Sequence, residues 1–197
     1  TPETAPKQPL SPYGVSKLTG EHYLRYYRLV HGLEYVVLRY ANVYGPRQDL
    51  HGETGVIAIF SNRLLEERPL TIFGDGEQTR DYVNVADVVS ANLYAADMAL
   101  PVPSADLDAV ALNVGTGVET SVNRLADLME QVAGRAQGRE YRAARAGELR
   151  HSALDSSRLR GLGWLPGSTL EEGLRETFAH FASHEGDAPK AERARAR

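Results

Sequence analysis

The sequence predicts an α/β protein in which helices and short strands alternate along the chain. Stretches with helical periodicity, such as 11–30 and 56–67, are separated by short apolar runs, such as 35–39 and 111–114. The segments that follow the apolar runs are polar or rich in glycine. In an open α/β sheet, ligands bind where such segments leave the carboxyl ends of the strands. Together, these observations favour an α/β fold with a ligand site at that edge.

Local signals give the position of each element. Ser11 suits a helix N-cap, Pro12 suits the first helical position and Gly32 suits the helix end. In chain order, the expected elements are a loop at 1–10, a helix at 11–30, a buried strand at 35–39, a loop at 40–47, a polar segment at 48–54, a helix at 56–67, a strand at 70–73, a turn at 74–76, an extended piece at 80–83, a helix at 85–99, an acidic loop at 101–109, a strand at 111–114, a helix from Thr120 or Ser121 to Ala133, an edge strand at 140–143 and a short helix at 156–162 capped by Asp155.

The expected faces of the helices come from apolar residues at helical spacing. The last helix opens with a capping-box pattern at 168–171, and from about residue 185 the tail lacks periodicity and is expected to be disordered. The residues expected to face inward are Leu18, Tyr23, Leu24, Tyr27 and Val30 in the first helix, Val88, Val89, Leu93 and Ala96 in the helix at 85–99, and Leu170, Leu174, Phe178 and Phe181 in the last helix.

Composition excludes several classes of protein. The chain has 197 residues, is 42% hydrophobic and 24% charged, and carries a formal net charge of -4, which gives no reason to expect nucleic-acid binding. It has no cysteine, so disulfides and thiol chemistry are excluded. No apolar run is long enough to span a membrane, and no signal peptide is visible, so the cytoplasm is the expected location. The histidines show no metal-ligand spacing, and no metal site is expected.

The segment 11–17, Ser-Pro-Tyr-Gly-Val-Ser-Lys, carries the first chemical signal. Tyr13 and Lys17 are four residues apart at the start of the predicted helix, so they share one face. A lysine beside a phenol favours the phenolate, and a phenolate can act as a proton base. The pair alone is weak evidence, because a tyrosine is also an ordinary residue on an amphipathic helix.

Further motifs follow in a fixed order: Leu-Arg-Tyr-Ala-Asn-Val-Tyr-Gly-Pro-Arg at 38–47, Phe-Gly-Asp-Gly at 73–76, Thr-Arg-Asp-Tyr-Val at 79–83 and Asn-Val-Gly-Thr-Gly at 113–117. With the Tyr-Lys pair, this order resembles the C-terminal half of an extended short-chain dehydrogenase/reductase. Within that group it is most similar to the NAD-dependent nucleotide-sugar epimerases of the UDP-glucose 4-epimerase type. The resemblance covers about residues 2–183.

The resemblance implies a Rossmann-like NAD-binding domain with a small α/β substrate domain threaded through it. Residues 1–47 and 80–117 would form the later part of the first, and 48–79 and 118–183 the second, followed by a disordered tail at 184–197. The glycine-rich strand–turn–helix that holds a dinucleotide pyrophosphate is not recognisable here. The family's third catalytic residue, a serine or threonine, lies farther upstream than the 12 residues preceding Tyr13. The chain is therefore expected to be a fragment and inactive alone, with the strands at 35–39 and 111–114 lacking sheet neighbours.

The resemblance also implies residue roles. Tyr13 would be the base that takes the proton from the sugar 4-hydroxyl, while Lys17 would favour the phenolate and hold the nicotinamide ribose. Ala41 and Val43 would lie against the nicotinamide of NAD. The nucleotide-sugar contacts would come from Asn42, Arg80 and Arg145 on the phosphates, Glu148 on the ribose, Val56, Ile57, Thr71, Ile72 and Phe73 around the base and sugar, and Ser152 beside the sugar 2-substituent.

For several of these residues, a purely structural role stays open. Arg145 would often be a solvated charge without its motif, Asn42 could cap a turn, and Arg80 could pair with Asp81 or Asp87.

Other functions stay open as well. A nucleotide-sugar 4,6-dehydratase or a UDP-glucuronate decarboxylase shares these motifs, and the chain alone could be a non-catalytic module that binds a nucleotide sugar. The complete protein is expected to act on a UDP-sugar and to form a homodimer through the helix at 11–30, which is apolar around more than half its girth.

Overall fold

A computed structural model describes residues 1–49, 55–99, 106–145 and 147–184. It confirms the α/β class and most of the predicted elements. The helices are α1 (Pro12–His31), α2 (Val56–Leu65), α3 (Val85–Ala96), α4 (Val122–Ala133), α5 (Ser157–Gly161) and α6 (Leu170–His184), with a 3₁₀ turn at Leu107–Val110. The strands are β1 (Val37–Tyr40), β2 (Asn42–Tyr44), β3 (Leu70–Phe73), β4 (Thr79–Arg80), β5 (Tyr82–Asn84), β6 (Ala111–Val114), β7 (Thr120–Ser121) and β8 (Arg139–Arg142).

Helix α1 begins and ends at the residues that the sequence predicts. The Ser11 side chain accepts a hydrogen bond from the Gly14 N–H at 3.1 Å, and Pro12 occupies the first turn. At the other end Gly32 adopts φ +71° and donates its N–H to the Arg28 carbonyl. A glycine suits that left-handed position because it has no Cβ.

The central strands pair in parallel, and this corrects two expectations. β1 and β6 pair with each other from Val37 opposite Ala111 to Tyr40 opposite Val114, so the strands at 35–39 and 111–114 do not lack neighbours. The segment at 40–47 is not all loop, because β2 pairs in parallel with β5. At the junction the Ala41 N–H still donates to a β6 carbonyl, while the Asn42 N–H donates to Asp81. The chain therefore changes partner strand at residues 41–42.

Strand β1 lies between two helices. Leu38 packs against the apolar cluster that includes α3 residues, and the Tyr40 hydroxyl exchanges hydrogen bonds with Asn92 of α3. Arg39, which points to the other face, bonds Glu21 of α1. Since alternate residues of a strand face opposite sides, α1 and α3 cover opposite faces of β1.

Two apolar clusters form the core of the described residues. The first joins α2, α4, α6 and β3 and includes Tyr44 and Tyr82; the second joins β5, β6 and α3. The predicted division into two domains stays a prediction. The clusters do not follow its boundaries everywhere, because Leu159 and Trp164, predicted in the substrate domain, pack in the second cluster.

Several predicted details are wrong. In α1, Tyr23, Tyr27 and Val30 are exposed, and in α3, Val89, Leu93 and Ala96 are exposed while Asp87, Val88, Ala91 and Ala95 are buried. Both stripes face outward among the described residues. The capping box of α6 lies one residue later, where the Thr169 hydroxyl and the Glu172 carboxylate accept hydrogen bonds from each other's N–H. The tail from 185, the segment at 50–54 and the loop at 101–105 lie outside the described residues.

Candidate active site

Helix α1 runs antiparallel to β1 and brings its N-terminus to the carboxyl end of that strand. Two contacts set the direction. The Arg28 guanidinium lies 5.8 Å from the Tyr35 ring centre, and Glu21, farther toward the helix start, bonds Arg39, farther along the strand. Tyr13 lies eight residues before Glu21, about 12 Å along the helix. Asn42 lies about 10 Å beyond Arg39 along the strand, so Tyr13 and Asn42 come to similar levels at the ligand edge.

The predicted catalytic pair is assembled at this edge. The Lys17 ammonium lies 5.2 Å from the centre of the Tyr13 ring, over its face. The Tyr13 side chain is 61% exposed, and no hydrogen bond or ion pair of Lys17 appears among the described residues. A cation over an aromatic face is attracted by the ring's negative face. The pair therefore stands open to a bound molecule, with the donors of Lys17 available.

The segment Ala41–Asn42–Val43 leaves β1 beside this pair. Ala41 and Val43 are half-buried and pack against the second apolar cluster, while Asn42 is exposed. The Asn42 N–H donates to the Asp81 carbonyl, and no turn cap by the Asn42 side chain appears among the described residues. The segment thus offers the small apolar surface of Ala41 and Val43, with the amide side chain of Asn42 between them.

The predicted phosphate and ribose residues contact each other. Arg80 donates to the Glu148 carboxylate at 3.1 Å and to the Leu149 carbonyl at 2.8 Å. The alternative in which Arg80 pairs with Asp81 or Asp87 is therefore wrong. The two side chains are 18% and 26% exposed, so the pair is partly shielded from water.

A cavity of about 310 Å³ adjoins the Arg80–Glu148 pair. Phe73, Arg145 and Glu148 line it, and the Arg145 guanidinium lies 4.0 Å from the Phe73 ring centre. An aromatic face and a planar guanidinium are both surfaces on which a nucleobase can stack. The pKa of Asp75, at the cavity rim, is held at about 2 by a hydrogen bond from Arg150, which keeps that carboxyl charged.

Two of the residues predicted around the base cannot offer their side chains. Ile57 and Ile72 are each 1% exposed and belong to the first apolar cluster. Val56 is half-buried against the same cluster. Thr71 is half-buried too, and its hydroxyl has no hydrogen-bond partner among the described residues. Ile57 and Ile72 therefore support the site from behind, and only their backbone groups could meet a ligand.

Asp81 is a structural residue of the site that the sequence analysis missed. It is 1% exposed, and its carboxylate accepts hydrogen bonds from the Thr116 N–H and hydroxyl and from the Gly117 N–H, at 2.6–3.0 Å. A Cβ on Gly115 would lie 2.4 Å from this carboxylate, so glycine is required there. The motifs at 79–83 and 113–117 are thus two halves of one contact. In the sequence, the available signal for this contact was the acid of the first motif and the two glycines of the second.

Two more groups were missed. Gln78 is buried and donates its side-chain N–H to the Phe73 carbonyl at 2.9 Å, which fixes the aromatic wall of the cavity. The Tyr82 hydroxyl is buried without a hydrogen-bond partner among the described residues, and burial raises the pKa of Tyr82 to about 12. Tyr82 directly follows the Arg-Asp pair at 80–81, and an orphaned hydroxyl there is a free donor near Arg80.

The loop that carries Ser152 is held in register beside β4. The Thr79 N–H donates to the Arg150 carbonyl and the Asp81 N–H donates to the Ser152 carbonyl. The His151 ring turns toward Thr79 and Glu119, with Nδ1 3.0 Å from the Glu119 carboxylate. Because side chains alternate along an extended segment, Ser152 lies on the opposite side from His151, on the side of Arg80.

The described part of the chain contains neither a cluster of metal-binding side chains nor a membrane-spanning helix. No group of three or more His, Cys, Asp or Glu side chains is placed to hold a metal ion. None of the helices there is long and apolar enough to cross a membrane.

Comparison with known proteins gives a consistent set of relatives. The family model described as "NAD dependent epimerase/dehydratase family" matches residues 1–115. A UDP-glucose 4-epimerase of Mycolicibacterium smegmatis is 46% identical over 182 residues, which are 92% of this chain and 56% of that protein. The chain spans about half the length of the curated relatives it matches.

Two solved structures are similar to the whole described fold. The UDP-glucose 4-epimerase of Thermotoga maritima, with UDP-glucose, has a TM-score of 0.86 and 45% identity, covering 94% of this chain and 58% of that one. The UDP-glucose 4-epimerase of Thermus thermophilus, in complex with NAD, has a TM-score of 0.82 and 40% identity, covering 91% and 57%.

Proposed function

The chain belongs to the NAD dependent epimerase/dehydratase family, and on that premise we propose that the complete protein is an NAD-dependent UDP-glucose 4-epimerase. The match to the family model confirms the family resemblance that the motifs indicated. The activity, substrate and cofactor of the whole protein are our proposal, because this chain covers about half of its relatives. The observation that supports it most directly is the open Tyr13–Lys17 pair level with Asn42, whose neighbour across the strands, Asp81, directly follows the partly shielded Arg80.

The residues present fit the nicotinamide end of NAD. Lys17 keeps its donors free of hydrogen bonds and ion pairs within the described residues, and a ribose offers hydroxyls to such a group. Ala41 and Val43 give a small, half-buried apolar surface against which a flat ring can lie. When bound, NAD would accept hydride from C4 of the sugar and return it to the other face of the resulting 4-keto sugar.

The chain's own residues would handle the proton and the phosphates. Tyr13, as phenolate, would take the proton of the sugar 4-hydroxyl and later return it, while Lys17 would hold the nicotinamide ribose. Arg80, Arg145 and the Asn42 amide would bind the diphosphate, since a guanidinium fork suits phosphate oxygens. Glu148 would accept from the ribose hydroxyls, with the base in the cavity beside Phe73.

We also propose the larger organisation implied by the resemblance. Residues 1–47 and 80–117 would be the later part of the dinucleotide-binding domain, and 48–79 and 118–183 the substrate domain, with α5 and Trp164 docked on the former. The complete protein would form a homodimer through α1, whose exposed Tyr23, Tyr26, Tyr27 and Val30 support an interface there. The cytoplasm stays the predicted location.

The test compares the complete wild-type protein with Tyr13→Phe, following the conversion of UDP-galactose to UDP-glucose. Losing the base should lower turnover by about two to four orders of magnitude, while UDP-glucose binding, measured by calorimetry, is retained. Tyr23→Phe is the matched control, since Tyr23 is equally exposed on the same helix at 64%. A Tyr13→Phe enzyme with normal turnover would exclude Tyr13 as the base, and an inactive wild type would exclude the epimerase itself.

A further inference from the structure

Charged side chains make the hydrogen bonds that join helix α1 to strand β1. Its single buried side chain is that of Arg28, and its tyrosines face outward. The firmest link is a two-pronged contact with β1, in which Arg39 Nε donates to Glu21 Oε1 at 2.9 Å and Arg39 Nη2 to Glu21 Oε2 at 2.6 Å. An apolar contact tolerates sliding, whereas such a fork fixes both distance and orientation.

Arg39 is itself held by further partners. Its Nη2 also donates to Asp108 Oδ1 at 2.9 Å, and its Nη1 donates to the Glu3 carbonyl at 2.8 Å. Asp108 in turn pairs with Lys7. The Arg39 and Glu21 side chains are 20% and 14% exposed, so water competes little for the contact. The hydrogen bond that Arg39 donates to Glu21 raises the pKa of Arg39, as expected for a guanidinium in a tight pair.

The position of the fork relates it to the reaction. Glu21 lies one turn after Lys17 and two turns after Tyr13 on the same side of α1, and Arg39 lies three residues before Asn42. We propose that the Arg39–Glu21 fork is a positioning device, which fixes α1 along β1 so that Tyr13 and Lys17 stand level with Asn42. This inference rests on the proposed function for the roles of Tyr13 and Lys17, but the anchoring of α1 does not depend on it.

The chain contains a matched control for this fork. Arg139 of β8 donates its Nε and Nη2 to the two carboxylate oxygens of Glu130 on α4, and its Nη2 also reaches Asp127. This is again an arginine on a strand, forked onto a helical glutamate with an aspartate beside it. It holds α4 rather than α1, so replacing Arg139 tests the loss of such a fork without disturbing Tyr13.

The experiment uses the complete protein with Arg39→Lys, Glu21→Gln and Arg139→Lys. Lysine keeps the charge of Arg39 but loses the fork. A displacement of about 1 Å can lower a rate about 100-fold, so Arg39→Lys should lower kcat about 10- to 100-fold and leave the KM for UDP-glucose unchanged. Glu21→Gln keeps the length and one acceptor, so its kcat should fall less. Arg139→Lys should keep the wild-type kcat.

A second readout follows α1 directly. Hydrogen–deuterium exchange of the backbone amides at 15–22 should be faster in Arg39→Lys than in wild type and unchanged in Arg139→Lys. If exchange is unchanged in Arg39→Lys, or if Arg139→Lys loses as much kcat, the fork does not position α1 and the inference is wrong. If the wild type does not epimerise UDP-glucose while exchange still responds, the proposed function fails and the anchoring stands.

Discussion

Asp81→Asn is expected to destabilise the protein strongly, because the buried carboxylate satisfies donors on both of its oxygens. Oδ1 accepts from the Thr116 N–H and hydroxyl, and Oδ2 accepts from the Gly117 N–H at 3.0 Å and from the Leu154 N–H at 3.4 Å. An asparagine keeps one oxygen for Thr116. Its NH₂ group then faces the two remaining N–H groups, and donors cannot satisfy donors.

The magnitude follows from those contacts. A hydrogen bond to a charged group contributes about 1.5–3 kcal/mol, and a buried donor left without a partner costs about 1–3 kcal/mol. Counting the Gly117 bond and its orphaned N–H, and neglecting the long Leu154 bond, we expect a loss of about 3–5 kcal/mol in the free energy of unfolding.

Urea unfolding of the complete protein, followed by circular dichroism, measures this loss as a lower midpoint at an unchanged slope. Asp127→Asn is the control, since Asp127 is a carboxylate paired with Arg139 but 53% exposed, and its replacement should cost less than about 1 kcal/mol. If Asp81→Asn lowers the free energy of unfolding no more than Asp127→Asn, the carboxylate is not the support of the 115–117 turn.

Three further outcomes are expected. Ser152 is small and lies on the Arg80 side of its loop, so the complete enzyme should accept UDP-N-acetylglucosamine as well as UDP-glucose. Ser152→Tyr should lower kcat/KM for the N-acetylated sugar selectively. If the ratio of kcat/KM for the two sugars is unchanged in Ser152→Tyr, Ser152 does not control which sugar is accepted. The isolated 197-residue chain should not convert UDP-glucose, since it shows no glycine-rich pyrophosphate site and its described sheets have two strands each; steady conversion by this chain would refute that. The complete protein should have a dimeric mass by light scattering at micromolar concentration, and a monomeric mass would contradict the interface proposed on α1.

The sequence predicts the local elements well wherever local signals decide them. Ser11 and Gly32 fix the ends of α1, and the apolar run 70–73 becomes β3 without change. The faces of α1 and α3 could not be predicted in the same way. Tyr23, Tyr27, Val89 and Leu93 have the right spacing for a buried stripe, but burial depends on which partner covers the stripe, and the periodicity of a helix does not name that partner.

The site shows the same division between local and long-range information. Tyr13 and Lys17 are neighbours on one helix, so their contact follows from a spacing of four residues. The Arg80–Glu148 pair joins segments 68 residues apart, and Asp81 supports a turn 34 residues later. Residue type alone left Arg80 with two nearer acids as equally good partners. The partner is instead Glu148, because the register of the 148–152 loop beside β4 brings that residue to Arg80.

Strand β1 has one ionic side and one apolar side, and this constrains how its length can change. Leu38 and Tyr40 meet α3, whereas Arg39 between them meets the carboxylates of Glu21 and Asp108. Inserting or deleting one residue within 37–40 would turn every later side chain to the opposite face. A guanidinium would then enter the apolar cluster, and a leucine would face two carboxylates. A substitution in β1 changes one contact, whereas an insertion or deletion there changes all later ones, so changes of length should be tolerated only in the connections on either side of the strand.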